Sequence, residues 1–377
     1  MIAKRKHLLF VIKITKFCNL RCSYCYEFNE LGNKAVMALD SIAAIFRTIR
    51  DYLEVESQSG EVAVGFIWHG GEPLLVPLEM YKAICETQNE ILGRYKVHNY
   101  VQTNLTVLTE KQLAFIKSRV FFSELGVSFD VYGDQRVGLN GKLKTDKILL
   151  NMQKLIDNSI KFGAIAVLAQ NTAPNVERIY QFFDNLRIPL RFLPFYQSAF
   201  DTQIEDHALD YDELVECLIR VFRAWLASPT VTPVDPIEEY IKYATAFHFG
   251  QPTNFYEKRN DEYVFVVNID GTICGADEIY VDQDGYGNLT TSTFEMALQS
   301  PNRISSIEKA ERRRDQYCLA CPYYGYCPGS FVQDASPQQQ RLLEKSGCPV
   351  RGVLDHIVPA VRDFVPHQVS TRLLSLT

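Results

Sequence analysis

The sequence predicts an α/β fold: a partial (β/α)6 barrel followed by a small, cysteine-rich C-terminal extension. Three observations predict it. The first half alternates short β-rich runs with longer helix-patterned ones, the alternation stops near Asp201, and Cys, Pro, Gly and Tyr concentrate beyond Gln316. Strands separated by helices of this length imply βαβ units and a parallel sheet. Six repeats are too few for an eightfold barrel and suit an open one, with its active site at the C-terminal ends of the strands.

The elements follow in order. Strands are predicted over Leu8–Ile14, Val62–Trp68, Asn99–Thr103, Leu125–Phe129, Ala164–Ala169 and Leu190–Phe195. Helices are predicted over Ala38–Val55, Pro77–Leu92, Thr109–Ser118, Thr145–Asn158 and Asn175–Leu186, where apolar residues recur at helical spacing. Tyr211–Leu226 and Ile237–Phe249 read as helices. Val264–Ile269 and Thr272–Cys274 read as a hairpin turning at Asp270-Gly271. Ser336–Arg341 is predicted as a loop. The domain expectation is a barrel over 1–200, a helical connection over 201–260 and the extension over 261–377.

Composition excludes several classes. Of 377 residues, 47% are hydrophobic and 22% charged, as in a packed globular protein. A net charge of −6, from 45 acidic and 39 basic residues, argues against a nucleic-acid partner, which needs clustered Lys and Arg. Lys13 interrupts the first apolar run, no cleavage site follows it, and no run is long enough to span a bilayer. The expectation is a cytoplasmic protein with no membrane partner.

Ten cysteines then require an explanation, because a reducing cytosol does not keep a disulfide framework. Cys85 and Cys217 fall singly in helix-patterned segments and read as structural thiols. Cys18, Cys22 and Cys25 sit directly after the first strand, in Lys16-Phe-Cys-Asn-Leu-Arg-Cys-Ser-Tyr-Cys-Tyr26. Three thiolates can grip one cubane and leave one iron without a protein ligand, where four would close it. The alternative is structural zinc, which would want a fourth Cys or His nearby.

Cys-x3-Cys-x-aromatic-Cys in this position resembles the signature of the radical S-adenosylmethionine (SAM) superfamily. The resemblance implies that the open iron chelates SAM, whose reductive cleavage yields a 5′-deoxyadenosyl radical. It places the aromatic Tyr24 against the adenine. Trp68-His-Gly-Gly-Glu-Pro73 resembles the family's methionine-binding loop, implying roles for Gly70, Gly71, Glu72 and Pro73. Gln102-Thr-Asn-Leu105 resembles Gln-Thr-Asn-Gly and brings in Asn104. Leu105 stands for the usual glycine, so a loop of different shape is expected. Gly126-Val-Ser-Phe-Asp130 resembles a ribose-contacting motif and brings in Ser128 and Asp130, with Arg136 a candidate for the methionine carboxylate. His69 reads either as a proton carrier or as a hydrogen-bonding residue of the loop. The resemblance covers about Leu8 to Phe195.

Cys318, Cys321, Cys327 and Cys348 supply four thiolates, enough to close a second 4Fe–4S cluster. Their spacing resembles the SPASM extension of radical enzymes that modify peptides, and Val267–Cys274 with Gly287-Asn288-Leu289 resembles its leading hairpin. Phe331 occupies a position where that family has a ligand of another cluster, so one auxiliary cluster is expected, with structural zinc as the alternative. Cys274 stays open as a vestige, an alternative ligand or a substrate-facing thiol. Asp277 and Glu278 are candidate bases. Sulfatase-maturing relatives carry Asp directly after the cysteine matching Cys274, where Gly275 stands here.

The resemblance implies a peptide maturase. It would take a hydrogen from a side chain of a ribosomally made precursor and install an oxidative cross-link, cyclophane-type C–C favoured. Flavodoxin or ferredoxin would supply electrons. There is no room before Cys18 for a separate leader-binding domain. The alternatives are sulfatase-type oxidation of Cys or Ser, a small-molecule radical dehydrogenase, and a non-catalytic zinc-stabilised binding protein.

Overall fold

The computed structural model describes residues 7–56, 62–195, 207–276 and 285–364, in two compact units. The first comprises 1–165, 197–204 and 259–308; the second comprises 166–196, 205–258 and 309–377. Both units join segments that are distant in sequence. The division 1–200, 201–260 and 261–377 follows chain order, and as a division of function it stays a proposal.

In the first unit, β1 (His7–Thr15) pairs in parallel with β2 (Ala63–Gly70), from His7↔Ala63 to Thr15↔Gly70. Next come β3 (Val97–Thr103), β4 (Glu124–Ser128) and the start of β5 (Gly163–Leu168), all parallel. Strand periodicity explains the sheet's helix-covered face: Leu8, Phe10, Ile12 and Ile14 alternate along β1 and are at most 2% exposed. Ile42, Ile45, Phe46, Ile49 and Leu53 repeat at helical spacing along the Leu39–Glu56 helix and are buried. The Phe46 ring meets Phe66 of β2 edge-on at 5.1 Å.

The expected hairpin forms from β8 (Val264–Val267) and β9 (Thr272–Gly275), with β10 (Gly287–Asn288) beside β9. It does not stand apart as part of the extension. β8 pairs in parallel with β1, from Leu9↔Val264 to Ile12↔Val267, giving the order β10-β9-β8-β1-β2-β3-β4-β5. Val-Phe-Val-Val carries no local mark of this partner, because the pairing joins residues far apart in sequence.

The second unit holds β6 (Leu190–Pro194), parallel to the two-residue β7 (Val234–Asp235), and a helical layer. Helix Tyr211–Ala227 starts at a capping box in which Asp210 accepts from the Glu213 N–H and Glu213 from the Asp210 N–H. Helix Pro349–Phe364 packs on helices Ile237–His248 and Tyr211–Ala227. The loop expected at Ser336–Arg341 is corrected: Pro337–Ser346 is a helix. Ser336 and Gln339 form a capping box and Pro337 occupies the first turn, so polar composition concealed a helix start.

Among the described residues, no helix is long and apolar enough to cross a membrane.

Candidate active site

The loop after β1 carries Cys18, Cys22 and Cys25, and short backbone bonds curl it. The Cys25 N–H reaches Cys22 O at 2.9 Å, the Phe28 N–H reaches Cys25 O at 3.0 Å and the Cys18 N–H reaches Leu31 O at 3.1 Å. Cys18 and Cys22 are buried and Cys25 partly so. Burial, then the Glu72 carboxylate and the Cys22 thiol, push Cys18 up to about 12. Burial also raises Cys22 and Cys25, the latter reinforced by Cys22. Thiols in so dry a place ionise only against a positive centre, as ligation to iron would provide.

The surroundings fit such a centre. Leu20 N–H and Asn104 Nδ2 lie 3.4 and 3.5 Å from Cys18 Sγ, and Arg136 Nη1 lies 3.8 Å from Cys22 Sγ. Donors aimed at sulfur are what a ligating thiolate uses. Among the described residues, no three His, Cys, Asp or Glu side chains converge as the shell of a single ion would. The thiolates of a cubane each bind a separate iron.

Gly70 and Gly71 end β2 against this loop. A side chain on Gly70, whose φ is +120°, would meet Thr15 O at 2.1 Å, and one on Gly71 would meet Phe17 O at 2.3 Å. The close approach is therefore to the cysteine loop's own backbone. The Gly71 and Glu72 N–H groups donate to Thr15 O and Phe17 O at 2.7 and 2.9 Å.

Glu72, 1% exposed, takes the Leu74 N–H, the Thr103 hydroxyl and the Asn104 N–H at 2.7–2.8 Å. Burial pushes its pKa up, while these donors and Arg136 work the other way. Its carboxylate thus ties the loop after β2 to the loop after β3. Pro73 is buried behind it and accepts from Tyr81 OH at 3.0 Å.

Asn104 spans two motifs, donating to Asn19 Oδ1 at 3.1 Å as well as pointing at Cys18. The expected change of loop shape at Leu105 is not what its backbone records. Leu105 has φ +54°, the left-handed region a glycine would take freely, with its side chain fully buried. The glycine-like turn survives in a residue for which it is strained by about 1–2 kcal/mol.

Tyr24, Asp130 and Arg136 form one buried group. The Tyr24 hydroxyl donates to Asp130, and Arg136 Nε lies 3.0 Å from Asp130 Oδ2, an ion pair whose angle leaves Nε without a hydrogen bond. The guanidinium sits 5.6 Å from the centre of the Tyr24 ring. Burial opposes the Arg136 charge, but Asp130, Tyr24 and Cys22 outweigh it and raise its pKa. Ser128 accepts from Gln102 Nε2 at 2.7 Å.

Two residues of this region were not among the candidates. Lys13 and Glu27 form a buried ion pair, Nζ to Oε1 2.6 Å. The available signal was a lysine inside an apolar strand. His69 accepts the Gly70 N–H on Nδ1 at 2.7 Å, the loop role rather than a free ring. Burial lowers its pKa to about 4, with Glu27 raising and Lys13 lowering it further.

In the second unit, Cys318, Cys321, Cys327 and Cys348 come together. Burial and the other three thiols push Cys318 up to about 12; burial, Cys348 and Cys321 do the same to Cys327. Burial takes Cys348 to about 11, although the Val350 and Arg351 N–H groups of the following helix donate to its sulfur. Cys318 joins a core of Val332, Ala335 and Leu343, against which Phe331 and Cys348 pack. Phe331 thus fills space where a ligand was expected in the resembled family. Cys274 lies in the first unit, 2% exposed on β9, with Sγ 3.8 Å from Val266 O. Asp277 and Glu278 lie outside the described residues.

Residues 12–183 match the family model described as the radical SAM superfamily. The cysteine-type anaerobic sulfatase-maturating enzyme of Clostridium novyi (strain NT) is 24% identical over 351 residues, covering 88% of this chain and 90% of that protein. The serine-type enzyme of Klebsiella pneumoniae is 23% identical over 320 residues, covering 83% and 78%. Among solved structures, native anSMEcpe with bound AdoMet and Cp18Cys peptide superposes with a TM-score of 0.72 at 19% identity. That match covers 93% of this chain and 99% of the other, and it shows the shared fold.

Proposed function

From the premise that residues 12–183 form a radical SAM domain, whose cofactors are SAM and a 4Fe–4S cluster, we propose that this enzyme oxidises a side chain of a peptide. The target favoured is a peptide-bound Cys or Ser, losing two hydrogens. The carrying observation is the convergence of motifs from four strand ends, Cys18–Cys25, Gly70–Glu72, Asn104 and Ser128–Arg136, on one buried site. Matches along most of the chain to cysteine-type and serine-type sulfatase-maturating enzymes support a peptide as substrate.

When bound, the cluster and SAM supply a carbon-centred radical that removes one hydrogen atom from the substrate. The protein's own groups do the rest. Cys18, Cys22 and Cys25 hold the cluster. Glu72 and Asn104 fix the loops around it. Tyr24 lies where a flat base can stack, Ser128 and Asp130 offer oxygens to a ribose, and Arg136 faces the carboxylate end. Cys318, Cys321, Cys327 and Cys348 hold one auxiliary cluster, and a flavodoxin-like or ferredoxin-like donor supplies the electron.

Two departures qualify the kinship with the sulfatase maturases: Gly275 in place of their Asp, and Phe331 in place of a further ligand. The cyclophane cross-link expected from the sequence draws no support from these relatives. Anaerobically reconstituted protein is tested with SAM, a strong reductant and synthetic peptides carrying Cys or Ser. The reading expects 5′-deoxyadenosine and a peptide aldehyde that captures a hydrazine. A peptide that loses two hydrogens without gaining a carbonyl would favour the cross-link, and an unaltered panel of peptides would count against this substrate class.

A further inference from the structure

Sheet register places a second group of polar side chains beneath the cysteine loop. Lys13 is paired with His69 across β1 and β2, so the two share a face. Val11, two residues earlier on the same face of β1, pairs with Val266 of β8, which pairs with Cys274 of β9. Lys13, His69 and Cys274 therefore line one face of the sheet, opposite the apolar face of Phe10 and Ile12.

Two ion pairs bracket the cysteine loop, and they span the same interval. Lys13 meets Glu27 and Lys16 meets Glu30, each fourteen residues on. The inner pair is dry, with side chains 3% and 7% exposed; the outer is wet, at 29% and 42%. Lys13 Nζ also lies 5.1 Å from the centre of the Tyr26 ring, within electrostatic reach of Cys25 and Cys274. Glu27 follows Cys25 by two residues, a separation of at most about 7 Å along the chain. A dry ion pair contributes little net stability over an apolar pair of the same volume. Its distinctive property is a fixed charge acting through a low dielectric.

We propose that Lys13 and Glu27 are positioning residues for the first cluster: the pair latches the cysteine loop to β1 and fixes opposite charges beside Cys25, setting how readily the bound group accepts an electron. The inference rests on Cys18, Cys22 and Cys25 being cluster ligands. The outer pair is the built-in control, because a solvated pair of the same span is screened.

The test is a redox titration of the anaerobically reconstituted holoenzyme, followed by electron paramagnetic resonance, with the C-terminal cluster as internal reference. Lys13→Met lowers the midpoint of the first cluster and Glu27→Gln raises it. Each changes the reduced-to-oxidised ratio at fixed potential about tenfold, or about 59 mV for one electron. Lys13→Arg stays near wild type, and Lys16→Gln and Glu30→Gln leave the midpoint in place. Shifts of Lys13→Met and Glu27→Gln in the same direction, or no shift with the first signal intact, overturn the inference. Should Lys13→Met lose the first cluster while keeping the second, Glu27→Gln must still shift upward and Lys13→Arg must still hold the cluster. A wild-type protein lacking any signal that Cys18→Ala removes would sink the cluster reading itself.

Discussion

The two cysteine sites use the same element in opposite surroundings. The first has three thiols in a ring of polar and charged side chains: Glu27, Glu72, Asn104, Asp130 and Arg136. The second has four thiols in an apolar core of Val332, Ala335 and Leu343, with Phe331 packed against it. The first loop is tied down by backbone bonds to Thr15, Phe17 and Leu31, independently of any metal. The second sits in short helices and turns, where sulfur accepts backbone N–H groups from Gly329, Val350 and Arg351. Three ligands in a polar site leave room for a reacting molecule; four in an apolar site close the group off and make it part of the core. Preorganised polarity belongs to chemistry and ligand saturation to stability.

The sharpest way to break this contrast is to empty one site at a time. Cys18→Ala, Cys22→Ala and Cys25→Ala together are expected to abolish 5′-deoxyadenosine formation while the C-terminal iron signal persists. Loss of both signals would mean the sites are not separate. Cys327→Ala is the reciprocal case. SAM cleavage without product should continue, while thermal unfolding moves to lower temperature because a buried ligand set is broken. A cleavage rate that falls with the first variant's severity would erase the distinction.

Glu72→Ala tests the polar ring itself. It orphans three buried donors, so stability should fall by about 3 kcal/mol or more, read by denaturant unfolding of the apoprotein. His69 adds a pH test. Its folded pKa of about 4 lies below the 6.5 of the unfolded chain, so the unfolded state binds the proton first as pH falls. His69 is thus expected to lower stability progressively between pH 6.5 and pH 4, by about 1–3 kcal/mol. His69→Asn, which keeps an acceptor for the Gly70 N–H, should flatten that slope; an unchanged slope would place the titration elsewhere.

The smallest expected effect concerns Leu105. Leu105→Gly relieves about 1–2 kcal/mol of left-handed strain but forfeits a fully buried side chain worth about 2–5 kcal/mol, for a net loss of about 1–3 kcal/mol. Stabilisation instead would show that the strain outweighs the packing.

Much of this was legible before any coordinates. Strand and helix periodicity located the elements from β1 to β6 to within a few residues, because period-two and helical spacing are local properties. Cysteine spacing marked both sites for the same reason. Three features stayed hidden. The Ser336 capping box lay inside a glutamine-rich run that reads as loop. Glycines assigned to a ligand serve instead to let the Cys18 loop approach β2. The Lys13–Glu27 pair joins a strand to the far end of a loop.

The sequence by itself determined the elements, the two cysteine sets and the kind of chemistry they suit, since each is encoded by residue type at short spacing. Only the tertiary structure decided that β8 lies beside β1, that Glu72 binds the neighbouring loops and that a buried charge pair stands next to Cys25. Those contacts join residues distant in the chain. They form only when burial strips water from groups that must then find one another.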